Sequence, residues 1–245
     1  MQGISRRNFL KTSSAGIAVI APGVSLITVA QAKQTANEPV TDKVRWGMLI
    51  DTNKCAKGCD DCVSACQQEH GWGSGSEDEK NSDQEQKAQW VRIVKVRDNS
   101  TKHETRIPMM CQHCEFPPCA DVCPTGASFK RADGIVLVDK HRCIGCRYCM
   151  MACPYKARSY IHESLHDQKA HTPRGKGTVE SCNFCVHRVD NDEKPACVEK
   201  CQRGAMIFGD LHDPDSKISM QLKKYGATQI RADFGLNLGV RYRGI

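Results

Sequence analysis

The sixteen cysteines constrain this chain more than anything else in it: they fall into four groups of four, with none left over. The first group is Cys55-x3-Cys59-x2-Cys62-x3-Cys66, and the second is Cys111-x2-Cys114-x4-Cys119-x3-Cys123. The third is Cys143-x2-Cys146-x2-Cys149-x3-Cys153, and the fourth is Cys182-x2-Cys185-x11-Cys197-x3-Cys201. At 245 residues the chain is too long for a small disulfide-stapled scaffold. With 40 % hydrophobic and 6 % aromatic residues, its apolar core is thin for that length. Something besides apolar burial must hold the fold, and metal ligation and disulfides are the two candidates. Composition excludes a collagen, a coiled coil and a polytopic membrane protein.

The third group, followed by Pro154, has the C-x2-C-x2-C-x3-C-P spacing of a bacterial ferredoxin run. The second, ending in Cys123-Pro124, is a variant with a longer second gap. A [4Fe–4S] cube has four irons, and each wants one thiolate. A short loop wraps three corners, and the fourth cysteine faces a second cube, so such runs work in pairs. Four runs predict four [4Fe–4S] clusters in two pairs. Eight disulfides would also use every cysteine, but a disulfide framework does not call for four near-copies of one spacing. Four zinc sites fit the count too, most readily at the fourth group, yet zinc does not explain Cys146 between Cys143 and Cys149. Four fully ligated cubes leave no open coordination site. Neither a Gly-rich dinucleotide fingerprint nor a compelling nucleophile–base pair appears, so no catalytic residue is assigned. One-electron transfer remains, and a wire of four stations needs a donor and an acceptor. The chain reads as a non-catalytic subunit of an oxidoreductase.

The flanks of the groups repeat as well. Leu49-Ile50-Asp51 before Cys55 parallels Leu137-Val138-Asp139 before Cys143. After three groups, Pro124–Phe129, Pro154–Tyr160 and Gln202–Phe208 each place an alanine just before a short strand. Strand, cluster loop, helix and strand in repetition predict an α+β fold. It is a loop-rich pair of interleaved bacterial-ferredoxin-like (βαβ)2 units, each carrying two clusters. Groups two and three form the inner unit, residues 105–160, around a hairpin that turns at Ala132-Asp133-Gly134. Groups one and four form the outer unit from 45–70 and 178–210, all within one domain over 33–245. Trp90–Val96 alternates as a strand, and Gly71–Gln89 reads as a surface loop. Leu165–Gly177 reads as a basic insertion, either wrapping a partner or solvated. Residues 211–245 read as a C-terminal tail lying across a neighbouring subunit.

Ser5-Arg6-Arg7-Asn8-Phe9-Leu10-Lys11 precedes an apolar run from Ala15 to Ala30, and Ala30-Gln31-Ala32 suits a signal peptidase. Residues 1–32 thus fit a twin-arginine signal, cleaved or kept as an anchor, of the kind that exports proteins already folded. The expected location is the periplasm, peripheral to the cytoplasmic membrane through partners. Residues 33–245 hold 32 basic and 28 acidic side chains, a net +4 that makes no case for nucleic acid. His113 and His187 sit two residues after a cluster cysteine and read as hydrogen-bonding or surface histidines. Lys54, Arg142, Arg147 and Lys156 flank the cysteines, either raising cluster potentials or as ordinary surface charge.

These motifs make the chain resemble the four-cluster ferredoxin-like subunits of molybdopterin oxidoreductases, Nrf-type nitrite reduction and polysulfide reductase (the NrfC, PsrB and DmsB type). Cys146–Arg158, Pro173-Arg174-Gly175-Lys176-Gly177, Cys185–Asp190 and Gly239–Ile245 make it most similar to the DsrO-like subunits of DsrMKJOP complexes. The resemblance implies a quinone-linked membrane complex of dissimilatory sulfur metabolism. Its implied partners are an NrfD/DsrP-like integral membrane subunit, a DsrJ-like c-type cytochrome and other Dsr subunits. It also implies four ligand sets: Cys55, Cys59, Cys62 and Cys201; Cys66, Cys182, Cys185 and Cys197; Cys111, Cys114, Cys119 and Cys153; and Cys123, Cys143, Cys146 and Cys149. The same wire in a nitrite, polysulfide or molybdopterin reductase is the alternative, and a zinc- or disulfide-stapled binding module is the remote one.

Overall fold

The computed structural model describes residues 39–73, 83, 86–166 and 168–245. The expected leader and part of the 71–89 loop lie outside them. Strand β1 (Trp46–Asp51) is apolar enough to be buried on both faces, and Met48 and Ile50 are fully enclosed. Asp51 ends it: its carboxylate accepts from the Asn53 N–H, and a 3-10 turn at Thr52–Lys54 delivers Cys55. Helix α1 (Asp61–His70) follows, closed by Gly71 in the left-handed region. Cys62 and Cys66 lie four residues apart on one face of it.

Hairpin β2 (Val91–Arg97) and β3 (Glu104–Met110) leads into Cys111, with Val91 opposite Met110. A short helix α2 (Pro118–Asp121) precedes the β4 (Ser128–Lys130) and β5 (Val136–Val138) hairpin, and α3 (Tyr148–Ala152) follows it. Ser128 pairs with Val138, so group two, which enters the hairpin, and group three, which leaves it, meet at one end. Strands β6 (Ser159–Tyr160) and β7 (Val179–Glu180) pair before helices α4 (Val186–Val189) and α5 (Ala196–Lys200). Strand β8 (Met206–Asp210) then runs antiparallel to β1, with Met206 opposite Ile50. Group one leaves β1 where group four enters β8. The same device that joins groups two and three thus joins two segments about 140 residues apart.

Two segments differ from their sequence readings. The region after Asp210 is no tail: α6 (Lys217–Tyr225) packs on the sheet, and β9 (Val240–Arg243) pairs in parallel with β1, setting the order β8-β1-β9. Val240 and Tyr242 alternate into the core, where the Tyr242 hydroxyl donates to the Pro108 carbonyl at 2.9 Å. Four residues are too few for that alternation to stand out in sequence. Most described residues of the 165–177 insertion are exposed, as the solvated reading has it, but Thr172 and Arg174 turn in against their own chain. Arg174, buried, forks onto Glu180 at 2.8–3.2 Å and donates to the Gly71 carbonyl at 2.7 Å. Its charge, legible as basic surface, is spent on a buried carboxylate that sequence alone does not locate.

Candidate metal centres

The fold gathers the sixteen cysteines into four quartets. Cys55, Cys59, Cys62 and Cys201 line one small cavity at the β1–β8 end. Cys111, Cys114, Cys119 and Cys153 line a second, and Cys123, Cys143, Cys146 and Cys149 a third. Cys66, Cys182, Cys185 and Cys197 are electrostatic neighbours in the interior. The structure thus brings together the side chains of each set that the sequence resemblance implies.

The quartets follow one another. Cys197 feels the charge of Cys62, Cys182 that of Cys111, and Cys149 that of Cys119. The succession therefore runs from the Cys55 quartet through the Cys66 and Cys111 quartets to the Cys143 quartet. All four cysteines of the Cys66 quartet are buried, whereas Cys55, Cys59 and Cys201 at one end are half-exposed and Cys146 at the other is exposed. The middle of the row is insulated and its ends approach solvent.

The two halves meet at a symmetrical contact. His113 lies between Cys111 and Cys114, and Phe184 holds the matching place between Cys182 and Cys185. Their rings stack at 3.6 Å, both on residues with positive φ. His113 Nδ1 accepts from the Val136 N–H at 3.0 Å, and burial pushes its pKa down to about 3, so the ring is neutral. His187 is paired to Glu69 at 2.7 Å. Both histidines are thus hydrogen-bonded.

Burial, then the charge of neighbouring thiols, raises Cys62 to about 12. Cys114 reaches about 12 and Cys185 about 11, chiefly by burial. Thiols crowded out of water in this way are poor anions on their own, and iron supplies the positive charge that keeps them as thiolates. Donors stand ready for them. His70 Nε2 lies 3.2 Å from the Cys185 Sγ, and the Trp72 indole donates to Cys66 at 3.3 Å. Backbone N–H groups of Ser128 and Ala205 donate to Cys123 and Cys201, each at 3.3 Å. The four-thiolate donor sets and their donors fit a cuboidal cluster.

The basic residues flagged from sequence mostly brace the loops. Lys54 Nζ reaches the Gly204 carbonyl at 3.4 Å and Arg142 that of Thr125 at 2.9 Å, while Arg147 covers the Tyr160 ring at 3.8 Å. Lys156 sits at positive φ, and its carbonyl accepts from Arg92 at 2.8 Å. Lys54 and Arg147 also line the Cys55 and Cys143 cavities, and two further cations stand at the quartets. Arg106 lines the Cys55 cavity and donates to the Cys59 carbonyl at 3.0 Å. Buried Arg158 donates to the Cys119 Sγ at 3.0 Å and to Ser128 at 2.8 Å. The repeat carried a signal for Arg158. Five residues beyond the last cysteine, the second and fourth groups have Ser128 and Met206, and only the third has a charge there.

Fold and quartets together define an iron–sulfur protein of paired dicluster type. Family models described as a 4Fe-4S dicluster domain match residues 54–127 and 103–211. The chain is 40 % identical to the Hdr-like menaquinol oxidoreductase iron-sulfur subunit 1 of Archaeoglobus fulgidus, over 98 % of this chain and 97 % of that protein. A protein NrfC homolog of Haemophilus influenzae is 34 % identical over 94 % of this chain and 91 % of the relative. The iron-sulfur cluster-binding subunit of a menaquinone reductase from Nitratidesulfovibrio vulgaris is 31 % identical over 82 % and 89 %. The chain belongs to this family of four-cluster iron–sulfur subunits, and it is an electron-transfer subunit carrying four [4Fe–4S] clusters.

Proposed function

We propose that the chain passes single electrons between a membrane quinone-interacting subunit and a redox partner in a quinone-linked complex of dissimilatory sulfur metabolism. The observation that carries this reading is the end-to-end match to a subunit named for menaquinol oxidation, which spans nearly all of both chains. Among the described residues no helix is long and apolar enough to cross a membrane; contact with the quinone is assigned here to another subunit. An NrfD/DsrP-like integral membrane protein and a DsrJ-like c-type cytochrome are the partners. Export by the twin-arginine route would put the complex's iron–sulfur arm in the periplasm.

Each cluster supplies one-electron chemistry; this chain's part is to hold, space and insulate the four. Cys55, Cys59, Cys62 and Cys201 hold the first, and Cys66, Cys182, Cys185 and Cys197 the second. Cys111, Cys114, Cys119 and Cys153 hold the third, and Cys123, Cys143, Cys146 and Cys149 the fourth. What supports these assignments is the proximity within each quartet. Half-exposed Cys55, Cys59 and Cys201 in the first quartet and Cys146 in the last make the two ends the ports for donor and acceptor.

The test is anaerobic purification of the complex from native membranes by a tag on this chain. About sixteen iron and sixteen acid-labile sulfide per chain are expected. So are a c-type haem spectrum and an integral membrane subunit whose quinol reduces the clusters. A stoichiometric molybdenum subunit in place of the cytochrome would overturn the quinone–sulfur reading in favour of a molybdopterin reductase.

A further inference from the structure

The wall of the cavity lined by Cys111, Cys114, Cys119 and Cys153 also includes Tyr155 and Arg158. Both are more than nine-tenths buried, at 5 % and 6 % exposure. Each carries a polar atom with no protein partner, the Tyr155 hydroxyl and Arg158 Nη1. A buried donor without an acceptor is costly, so two at one cavity are not retained idly. The other nitrogen of the same fork, Nη2, already donates to the Cys119 Sγ at 3.0 Å and the Ser128 hydroxyl at 2.8 Å, which fixes the guanidinium plane. The acceptors this cavity would hold, besides the four thiolates, are the sulfides of a cluster.

We infer that Tyr155 and Arg158 donate hydrogen bonds to sulfurs of the cluster held by Cys111, Cys114, Cys119 and Cys153, and that they raise its reduction potential. The inference rests on the ligand assignment proposed above. Reduction adds one electron and one negative charge to the cluster. A donor aimed at its sulfurs, and a fixed positive charge beside them, favour that reduced form. Burial works the other way, because a low-dielectric site disfavours added charge. The two donors offset that penalty at an enclosed station where solvent cannot. They are positioning residues: Arg158 acts on the neighbouring quartet too, through its interaction with Cys149, whereas the thiols beside Tyr155, Cys114 and Cys153, both belong to this one.

The test uses the full chain with its clusters, purified without oxygen, and a redox titration followed by electron paramagnetic resonance. Cys119→Ser first identifies which of the four signals belongs to this quartet. Tyr155→Phe, which removes one oxygen and keeps the ring, is expected to move that same signal to more negative potential and leave the other three in place. Arg158→Lys is expected to move it likewise, and its Cys149-side neighbour less. In D2O-exchanged wild-type protein, electron–nuclear double resonance on that signal should show an exchangeable proton that Tyr155→Phe loses. Unchanged potentials in both variants with full iron would overturn the inference and leave the ligand assignment standing. Iron for fewer than four clusters in the unmutated protein would overturn both.

Discussion

At the scale of single residues, the junction between the two halves depends on one stacked pair. His113 cannot turn, because the Val136 N–H holds Nδ1, and Phe184 is 1 % exposed against it. Phe184→Ala should cost about 3–5 kcal/mol through the cavity it leaves. The cost should appear as a lower temperature for loss of the brown cluster absorption in an anaerobic melt. Phe184→Leu should recover most of it. Arg174 is a different case. Its substitution by Met leaves Glu180, fully buried, with Lys140 at 3.7 Å as its remaining cation among the described residues. A loss of about 3 kcal/mol is expected in chemical denaturation. Adding Glu180→Leu to it should recover much of that loss, since a well-packed apolar pair replaces a buried ion pair nearly without penalty.

At the scale of elements, the third cysteine loop is held from outside. Gly145 has φ +69°, and a Cβ there would stand 2.2 Å from the Gly177 carbonyl oxygen. Backbone does not yield at that distance, and the left-handed conformation adds its own cost for any other residue. Gly145→Ala should therefore displace the Cys143–Cys149 loop. The variant is expected to purify with about twelve iron in place of about sixteen, one resonance signal missing and the other three unshifted. The loop carries Cys146, so this is also the end of the row that reaches solvent. Gly177 belongs to the same strap that Arg174 anchors, and the strap thereby links the exposed terminal quartet to the buried ion pair.

At the scale of the whole molecule, the clusters take the place of much of the core. Nine cysteines are counted among its buried residues, alongside Trp72, Trp90 and twelve Val, Leu and Ile side chains. Stripping the iron by oxidation and chelation should leave a chain that no longer melts cooperatively and is cut within the quartet loops by protease. A chain that kept a sharp transition would show that apolar packing alone suffices. Cysteine spacing made the four groups and the pairing of the inner two legible, because both rest on local chain geometry. The junction of the outer two was legible only as the remainder, and β1–β8 pairing supplies its cause. What sequence hid was Val240 and Tyr242 as a strand on the edge of β1, Arg174 buried on Glu180, and Arg158 among thiols. The strand and Arg158 depend on partners far along the chain, Arg174 on the burial of a carboxylate six residues away, and no periodicity announces any of them.

The parallel pairing of β9 with β1 also sets a schedule. Trp46–Asp51 leaves the ribosome nearly two hundred residues before Val240–Arg243, the strand that completes its sheet. The inner unit has all its cysteines by Cys153 and can close while synthesis continues, whereas the outer unit awaits Cys201 and the sheet awaits Val240–Arg243. A nascent chain is therefore half-built in a lasting way, with group one held open until group four has emerged. Iron delivered too early would find Cys55, Cys59 and Cys62 without their fourth partner. For this protein, the order of synthesis decides which pair of clusters can be enclosed first.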